Sequence, residues 1–297
     1  MRMFVLLFVL VFGSASARGA EPKVIHDIVY GHKDGLALTY DVITPADDVE
    51  RNGATVALMV SGGWVSKWFP AEMLLNPQNS YGRLIRALLG DGYSIAIIRH
   101  GSAPKYDALE ATNDVKKALE HLRNDLPKHG LDPERIGVFG FSAGGHLSLM
   151  LGTMGGKELP RWVKNQRGEN GGQDAPVAAV VAWFAPTDLR LIVGPSKSFP
   201  ALDFEPDDAP GISPLLLVDA GDAPTLLLHG DADRLVPLRS SSAIHEALEA
   251  AAIETKMEVF EGAGHGFRGE QQREAEKLAK AWFDRWLLSD SESEKTD

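Results

Sequence analysis

The stretch IGVFGFSAGGHLSLM, Ile136 to Met150, decides the fold. An apolar run typical of a buried strand leads to Ser142, and a helical pattern follows. The residues GFSAG, Gly140 to Gly144, match G-x-S-x-G, a sharp strand-to-helix turn that exposes a serine at the sheet edge. Small residues leave room for the turn, and the helix N-terminus favours a developing oxyanion. We therefore interpret Ser142 as a nucleophile, with a phosphate-binding or purely structural turn as alternatives.

A nucleophilic serine requires a base, and the base requires an orienting acid, in the chain order Ser, Asp, His. LLLHGDADRLVP ends a strand-like run and opens a turn that contains Asp231 and Asp233. Farther on, EVFEGAGHGF ends another strand-like run and places His265 between glycines. These residues follow strands, as Ser142 does, so they are predicted at the same sheet edge. Either aspartate of the turn suits the acid, and Asp188 is a third candidate.

The chain contains nine histidines, and most of them have other predicted roles. His146 lies one turn into the helix after Ser142 and is expected to pack or hydrogen-bond beneath the site. His229 is expected to buttress the aspartate turn, and His100 ends a strand near the site edge. Metal-ligand spacings such as H-x-x-x-H are missing from the sequence, which argues against a metal hydrolase and predicts no metal site.

An oxyanion needs backbone N–H donors, which we expect from Ala143 and from an earlier glycine loop. SGGW follows the strand-like run ATVALMV, and the predicted donors of this loop are Gly62, Gly63 and Trp64. Aromatic side chains near this loop suggest an aromatic platform for a sugar ring or a feruloyl group, although they could equally pack the loop. The predicted substrate contacts are Trp64, Trp68, His100 and Phe141.

Strand-like and helix-like segments alternate along the chain, which predicts an α/β protein with a mostly parallel central sheet of about eight strands and helices on both faces. The first two strands form a hairpin around Lys33 to Gly35. Two segments interrupt the alternation. Gly155 to Asp174 is rich in glycine and predicts a surface loop, and the proline-rich segment Thr187 to Asp222 predicts a lid or wall on the substrate side.

The N-terminal segment predicts export. A signal peptide is predicted within residues 1–20, cleaved after Ala17 or Ala20, from Arg2, the apolar stretch Met3 to Phe12 and the sequence Ala15 to Ala17.

One α/β domain is predicted at 21–288, with a disordered acidic tail at 289–297. The chain lacks cysteine, which excludes a thiol nucleophile, and its net charge of −11 disfavours nucleic acid as a partner. We expect a secreted or periplasmic protein without stable membrane association after cleavage.

The motifs GFSAGGH, HGDADRLVP and GAGHGF together resemble the α/β-hydrolase fold superfamily, and within it the esterase/lipase and feruloyl- or acetylxylan-esterase-like (BD-FAE-like) enzymes. The resemblance covers essentially all of the mature chain. It implies that Ser142 is the nucleophile, Asp233 the acid and His265 the base. Two features depart from the pattern. Ser61 stands where such enzymes usually carry a loop histidine, and RHGSAPKY replaces a YRLAPE-like stretch.

The expected function is that of an exported serine carboxylester hydrolase with a Ser-His-Asp acyl-enzyme mechanism and no cofactor. Its expected substrate is a small-acyl or polysaccharide-linked ester of the acetyl or feruloyl type. One alternative is a serine peptidase or aminopeptidase related to prolyl oligopeptidase. That enzyme would need a carboxylate pair for a free amine, with Glu110 or the pair Asp207 and Asp208 as candidates. A second alternative is a non-catalytic binding protein, which would be expected to lack a triad member.

Overall fold

The computed structural model describes residues 20–79, 81–154 and 177–288. The predicted signal peptide up to Gly19, the predicted loop from Gly155 to Asp174 and the predicted tail from residue 289 lie outside the described residues. The structure therefore describes the predicted domain, 21–288, except for positions 80 and 155–176.

Eight strands form one sheet in the order β1-β2-β4-β3-β5-β6-β7-β8. The first three strands in this order pair antiparallel, and every later pair is parallel. The predicted mostly parallel sheet of about eight strands is confirmed. The strands are β1 (Lys23–Lys33), β2 (Leu36–Thr44), β3 (Thr55–Met59), β4 (Ser94–Ile98), β5 (Ile136–Phe141), β6 (Ala179–Trp183), β7 (Thr225–Gly230) and β8 (Thr255–Phe260).

Helices cover both faces of the sheet, and each face has its own apolar core. In β3, Ala57 and Met59 face one core and Val56 and Leu58 face the other, as the two-residue period of a strand requires. Burial on both faces explains why the strands are continuous apolar runs. The first core contains residues of α2 (Ala108–Asp125), α3 (Ala143–Thr153) and α4 (Arg239–Ala250), and the second contains residues of α1 (Gly82–Gly90) and α5 (Gly269–Leu287).

The carboxyl ends of the parallel strands bring the predicted functional residues to one edge of the sheet. Ser142 follows β5, Asp233 follows β7 and His265 follows β8. The glycine loop around Gly63 follows β3, which is the neighbour of β5 in the sheet. In open α/β sheets this edge is where ligands bind.

The segment from Thr187 to Asp222 folds into short 3-10 turns rather than long helices. Prolines occupy the first turn in three of them, where a missing N–H costs nothing. The side chain of Ser213 ties the segment together, because its Oγ accepts from Leu189 N at 2.8 Å and donates to Ala209 O at 2.7 Å. Buried residues of this segment, Leu202 and Ile212 among them, belong to the same core as α2 and α3. We call residues 187–222 the cap segment.

We predict that the junction of β5 and α5 is intolerant of added volume. A Cβ at Gly137 would lie 2.7 Å from two ring carbons of the fully buried Phe283 and 3.0 Å from Leu287 Cδ1. The Gly137→Ala variant should therefore unfold with a free energy lower by ~1–3 kcal/mol, measured by urea denaturation.

The matched control is Gly90→Ala at the end of α1, where a new Cβ meets nothing within 4 Å. Alanine has the higher helix propensity, so this variant should be at least as stable as the wild type. Equal stability of both variants would contradict the packing described here.

Candidate active site

Ser142 lies on a strained turn between β5 and α3. Its φ of 54° and ψ of −118° are unusual for a residue with a side chain, and such values cluster at functional sites. A Cβ at Gly140 would overlap the carbonyl of Gly144, and one at Gly144 would lie 2.5 Å from Met59 O. The turn therefore folds back on itself so closely that only glycine fits at these two positions. Ser142 N donates to Trp183 O at 2.9 Å, which fixes the turn against β6.

His265 and Asp233 form a hydrogen-bonded pair on the loops after β8 and β7. His265 Nδ1 donates to Asp233 Oδ2 at 2.7 Å, so the lone pair of the ring lies on Nε2. Asp233 Oδ1 accepts from the backbone N–H groups of Leu235 at 2.8 Å and Val236 at 3.0 Å. The carboxylate side chain is fully buried, whereas the imidazole is 21% exposed. This arrangement holds the histidine in the orientation that a general base requires.

The other two candidate acids make different contacts. Asp231 Oδ1 accepts from Gly262 N at 2.6 Å, which braces the turn. Asp188 pairs with the guanidinium of Arg190 at 2.7 Å, and this pair lowers the pKa of its carboxyl group. Of the three aspartates, the structure brings Asp233 to His265.

His229 supports Asp233 from behind, as the sequence predicted. Its Nε2 donates to Val236 O at 2.9 Å, and its Nδ1 accepts from Ser241 Oγ at 2.7 Å. Burial lowers the pKa of His229, and the ring is neutral at pH 7. Its Nε2 also lies 3.5 Å from Asp233 Oδ2. A buried neutral histidine thus fixes the loop that carries Asp233.

Phe184 links the pair to the nucleophile turn, and sequence reasoning missed it. Its ring lies 4.7 Å from the His265 ring and 5.8 Å from the Phe141 ring, measured between centroids. Phe184 has a φ of 37°, so its backbone is strained as that of Ser142 is. The available signal was its position directly after β6, at the same sheet edge. Within the described part of the chain, no hydrogen bond joins Ser142 to His265; in unliganded enzymes such contacts are often long.

The glycine loop has backbone N–H groups near Ser142, since Trp64 and Ser142 line the same cavity. Gly62 and Val65 exchange two backbone hydrogen bonds of 3.0 and 3.1 Å, which close the loop. Gly63 and Trp64, between them, have φ values of 58° and 56°. Their N–H groups and that of Ala143 donate to no other group of the described residues. The structure corrects the prediction at Gly62, because its N–H is already used within the turn.

Ser61, at the start of this loop, is hydrogen-bonded to a histidine that is distant in the sequence. His100 Nδ1 donates to Gly101 O at 2.7 Å, and His100 Nε2 accepts from Ser61 Oγ at 2.9 Å. Burial lowers the pKa of His100 to about 4, so the ring is neutral at pH 7. His100, two residues beyond the end of β4, thus supplies a buried imidazole that is hydrogen-bonded to Ser61 at the start of this loop.

A cavity of about 240 Å³ opens next to Ser142. Its walls are mostly apolar and come from the glycine loop, the cap segment and the loop after β7. The lining residues are Trp64, Ser142, Pro186, Ile192, Ser196, Phe199, Leu202, Leu235 and Val236. A ligand here would contact mostly apolar surface together with Ser142.

Only one of the four predicted substrate contacts, Trp64, lies on this wall. Trp68 is 63% exposed elsewhere, and its indole N–H donates to Asp27 Oδ1 at 3.2 Å. His100 is buried with both ring nitrogens occupied. Phe141 stacks on Trp183 with centroids 4.6 Å apart. The structure therefore corrects the prediction for Trp68, His100 and Phe141, whose side chains make other contacts and do not line the cavity.

The structure gives no support to the carboxylates considered for a peptidase. Glu110 closes the capping box of α2 with Asp107 and lies 3.4 Å from Lys33 Nζ. Asp207 and Asp208 begin a 3-10 turn of the cap segment. None of these residues lines the cavity.

Two features are absent from residues 20–79, 81–154 and 177–288. In these ranges, His, Cys, Asp and Glu side chains nowhere gather in threes as a metal ion would need. No helix in the same ranges combines the length and the apolar composition that a bilayer crossing requires.

The chain is similar to known esterases and to part of certain polyketide synthases. The BD-FAE family model matches residues 41–248. Esterase LipC of Mycobacterium tuberculosis is 28% identical over 74% of this chain and 55% of its own length. Non-reducing polyketide synthase ausA of Aspergillus calidoustus is 24% identical over 83% of this chain, which spans 13% of that synthase. The resemblance to BD-FAE-like enzymes is thus confirmed.

Solved structures show the same fold. A truncated carbohydrate esterase from gut microbiota has a TM-score of 0.66 at 23% identity, over 90% of this chain and 98% of that one. The apo form of Thermogutta terrifontis esterase 2 has a TM-score of 0.68 at 24% identity, over 92% and 96% of the two chains. The predicted α/β-hydrolase fold is confirmed by these similarities and by the sheet.

We predict that His100 makes the stability of the protein depend on pH. A histidine titrates near pH 6.5 in an unfolded chain, whereas the pKa of His100 in the fold is about 4. Between these values the unfolded chain binds more protons, so the stability contributed by neutral His100 is complete above about pH 6.5 and decreases as the pH falls towards 4. In His100→Gln, where the amide oxygen can still accept from Ser61, the loss between pH 7 and 4.5 should be smaller by on the order of 1–3 kcal/mol.

Urea denaturation at several pH values measures this difference. The matched control is His32→Gln, which removes an exposed histidine and should reproduce the wild-type slope. A wild-type slope in the His100→Gln variant would show that the buried imidazole is not a source of the acid sensitivity.

Proposed function

Since the chain belongs to the BD-FAE family and has an esterase-like α/β-hydrolase fold, we propose that it is a serine carboxylester hydrolase with Ser142, His265 and Asp233 as its catalytic triad. The observation that carries the proposal is the 2.7 Å hydrogen bond from His265 Nδ1 to the buried carboxylate of Asp233. It leaves Nε2 as a proton acceptor at the sheet edge where the strained turn presents Ser142. The matched family region, residues 41–248, contains Ser142 and Asp233.

In the proposed reaction, Ser142 Oγ attacks the ester carbonyl while His265 Nε2 takes its proton. Asp233 stabilises the imidazolium that forms. In this proposal, the N–H groups of Trp64 and Ala143, together with that of Gly63, donate to the carbonyl oxygen as it gains negative charge. The imidazolium then protonates the departing alcohol, which leaves an acyl-enzyme. Water, deprotonated by the same histidine, releases the carboxylic acid and restores the serine.

The cavity beside Ser142 defines the substrate class of the proposal. Among the residues that the structure describes, its lining is mainly apolar and includes no acidic or basic side chain, so it suits an uncharged acyl group. A free α-amine would find no carboxylate there, which favours an ester over an aminopeptidase substrate. We therefore propose a short acyl or aromatic acyl group in the cavity, with the alcohol directed to solvent. A polysaccharide-linked acetyl or feruloyl ester fits this description.

The proposed compartment is extracellular or periplasmic. This proposal rests on the basic residue Arg2, the apolar stretch Met3 to Phe12 and the small residues up to Ala20. Comparison of the N-terminal residue of the protein in the culture medium or periplasm with the encoded one tests it. A protein that retains Met1 and stays within the cell would contradict export.

The triad is tested by hydrolysis of p-nitrophenyl acetate and butyrate. Ser142→Ala should lower kcat to background because the nucleophile is removed. Asp233→Asn should lower kcat by ~10⁴, since the histidine would lose its orienting carboxylate and favour the wrong tautomer.

Asp231→Asn is the matched control on the same turn. Asp231 accepts from Gly262 and does not contact His265, so this variant should keep kcat within about threefold of the wild type. Equal losses in the two aspartate variants would contradict the assignment of Asp233. Activity that persists in Ser142→Ala would contradict the serine mechanism.

The proposal that the acyl group occupies this cavity is tested with two adjacent apolar residues, of which only one lines the cavity. Ile192 lines the cavity, whereas Leu191 does not, and both are exposed, at 42% and 65% respectively. Ile192→Ser should lower kcat/KM for the butyrate ester by about 3- to 10-fold relative to the acetate ester, because roughly one to two methylene contacts are lost. Leu191→Ser should leave this ratio unchanged. The same shift in both variants would place the acyl chain elsewhere.

A further inference from the structure

His146 occupies an unusual position at the junction of three parts of the site. It belongs to the first turn of α3, and its backbone N–H donates to Ser142 O at 2.9 Å. Its ring lies under Trp64 of the glycine loop, edge to face, with centroids 5.3 Å apart. Its other side faces the cap segment at Ile212. The triad mechanism uses no group of this side chain, although the residue is completely buried.

Both ring nitrogens of His146 are occupied, and their partners fix the tautomer. Ile212 O can only accept, so Nε2 carries the proton and donates to it at 2.8 Å. The indole N–H of Trp64 can only donate, so Nδ1 accepts from it at 3.2 Å. A protonated ring could not accept from Trp64. Burial keeps the ring neutral at pH 7, because it lowers the pKa of His146 to about 4.

Trp64 needs such an anchor because its backbone is strained. Its φ of 56° lies in the left-handed region, which a bulky residue rarely adopts without support from its surroundings. The same peptide unit presents the N–H group that we assign to the oxyanion hole. Trp64 is buried, with only 3% of the residue exposed, and the one polar atom of its indole is hydrogen-bonded to His146. The side chain thus determines how the strained peptide is held.

From this geometry we propose that His146 is a positioning residue for the oxyanion hole, which acts by holding the Trp64 indole and, through it, the Trp64 backbone N–H. The inference rests on the proposed esterase function, since it concerns a donor to the oxyanion of that reaction. The position of the Trp64 N–H depends on one hydrogen bond, from Trp64 Nε1 to His146 Nδ1, and not on packing alone. Because the oxyanion exists only in the transition state, a displaced donor should lower kcat and leave KM nearly unchanged.

Two amide variants separate the two hydrogen bonds of the ring. The amide of asparagine reaches about the place of Nδ1, so His146→Asn keeps an acceptor for Trp64 and loses the bond to Ile212. The amide of glutamine reaches about the place of Nε2, so His146→Gln keeps the donor to Ile212 and loses the acceptor for Trp64. The two variants are therefore matched controls for each other, and urea denaturation of each reports its stability separately.

For p-nitrophenyl acetate hydrolysis, the proposal predicts that His146→Gln lowers kcat by about 10- to 100-fold, because displacement of a catalytic group by ~1 Å typically costs ~10² in rate. KM should change by less than about threefold. His146→Asn should keep kcat within about fivefold of the wild type. Equal losses in the two variants, a larger loss in His146→Asn or no loss in either would overturn the proposal.

Trp64→Phe removes the same hydrogen bond from its other end. If His146 acts through Trp64, the effect of His146→Gln on kcat should largely disappear in the Trp64→Phe background, whereas independent roles would give multiplicative losses. If neither histidine variant folds, Trp64→Phe alone should still lower kcat about tenfold or more, and a wild-type kcat would overturn the proposal. A wild-type protein as inactive as Ser142→Ala would instead refute the esterase function itself.

Discussion

The close approach of two backbone segments at the nucleophile turn is the constraint on which the rest of the site depends. Gly140 and Gly144 meet where β5 turns into α3, and Gly144 also lies against Met59 O at the end of β3. This crowding orients Ser142 outward and brings the start of α3 beside the glycine loop. A side chain at either glycine would shift Ser142 relative to the glycine loop, so the geometry of the proposed site depends on this packing.

Three neutral buried histidines hold the loops of the site by hydrogen bonds. His100 holds Ser61, His146 holds Trp64 and His229 holds the loop of Asp233, and each ring has both nitrogens hydrogen-bonded. Hydrogen bonds at both ring nitrogens matter because a buried polar group without a partner lowers the stability of the fold by about 1–3 kcal/mol. Each ring accepts on one nitrogen and donates on the other, so each one fixes the direction of its partner. The loops of the site are thereby held rigidly without any regular structure of their own.

The cap segment forms one wall of the cavity next to Ser142 although it lacks long regular elements. It contains no long helix, yet its buried residues join the core of α2 and α3, and Ser213 connects its turns. Ile192, Ser196, Phe199 and Leu202 from this segment line the cavity next to Ser142. Variation in these residues would alter the cavity without disturbing the sheet, as is usual for binding loops on a rigid scaffold.

The sequence by itself determined the strand and helix pattern and the sheet edge at which Ser142, Asp233 and His265 lie, because these follow from local periodicity and from the shared edge of parallel strands. The motif resemblance had to decide between Asp231 and Asp233, since a turn of three residues does not reveal which carboxylate faces the histidine. Only the tertiary structure decided where side chains point. Trp64 lies on the cavity wall while Trp68 does not, and His146 reaches Trp64 across 82 positions of sequence. Such contacts depend on the relative placement of distant segments, which no local pattern encodes.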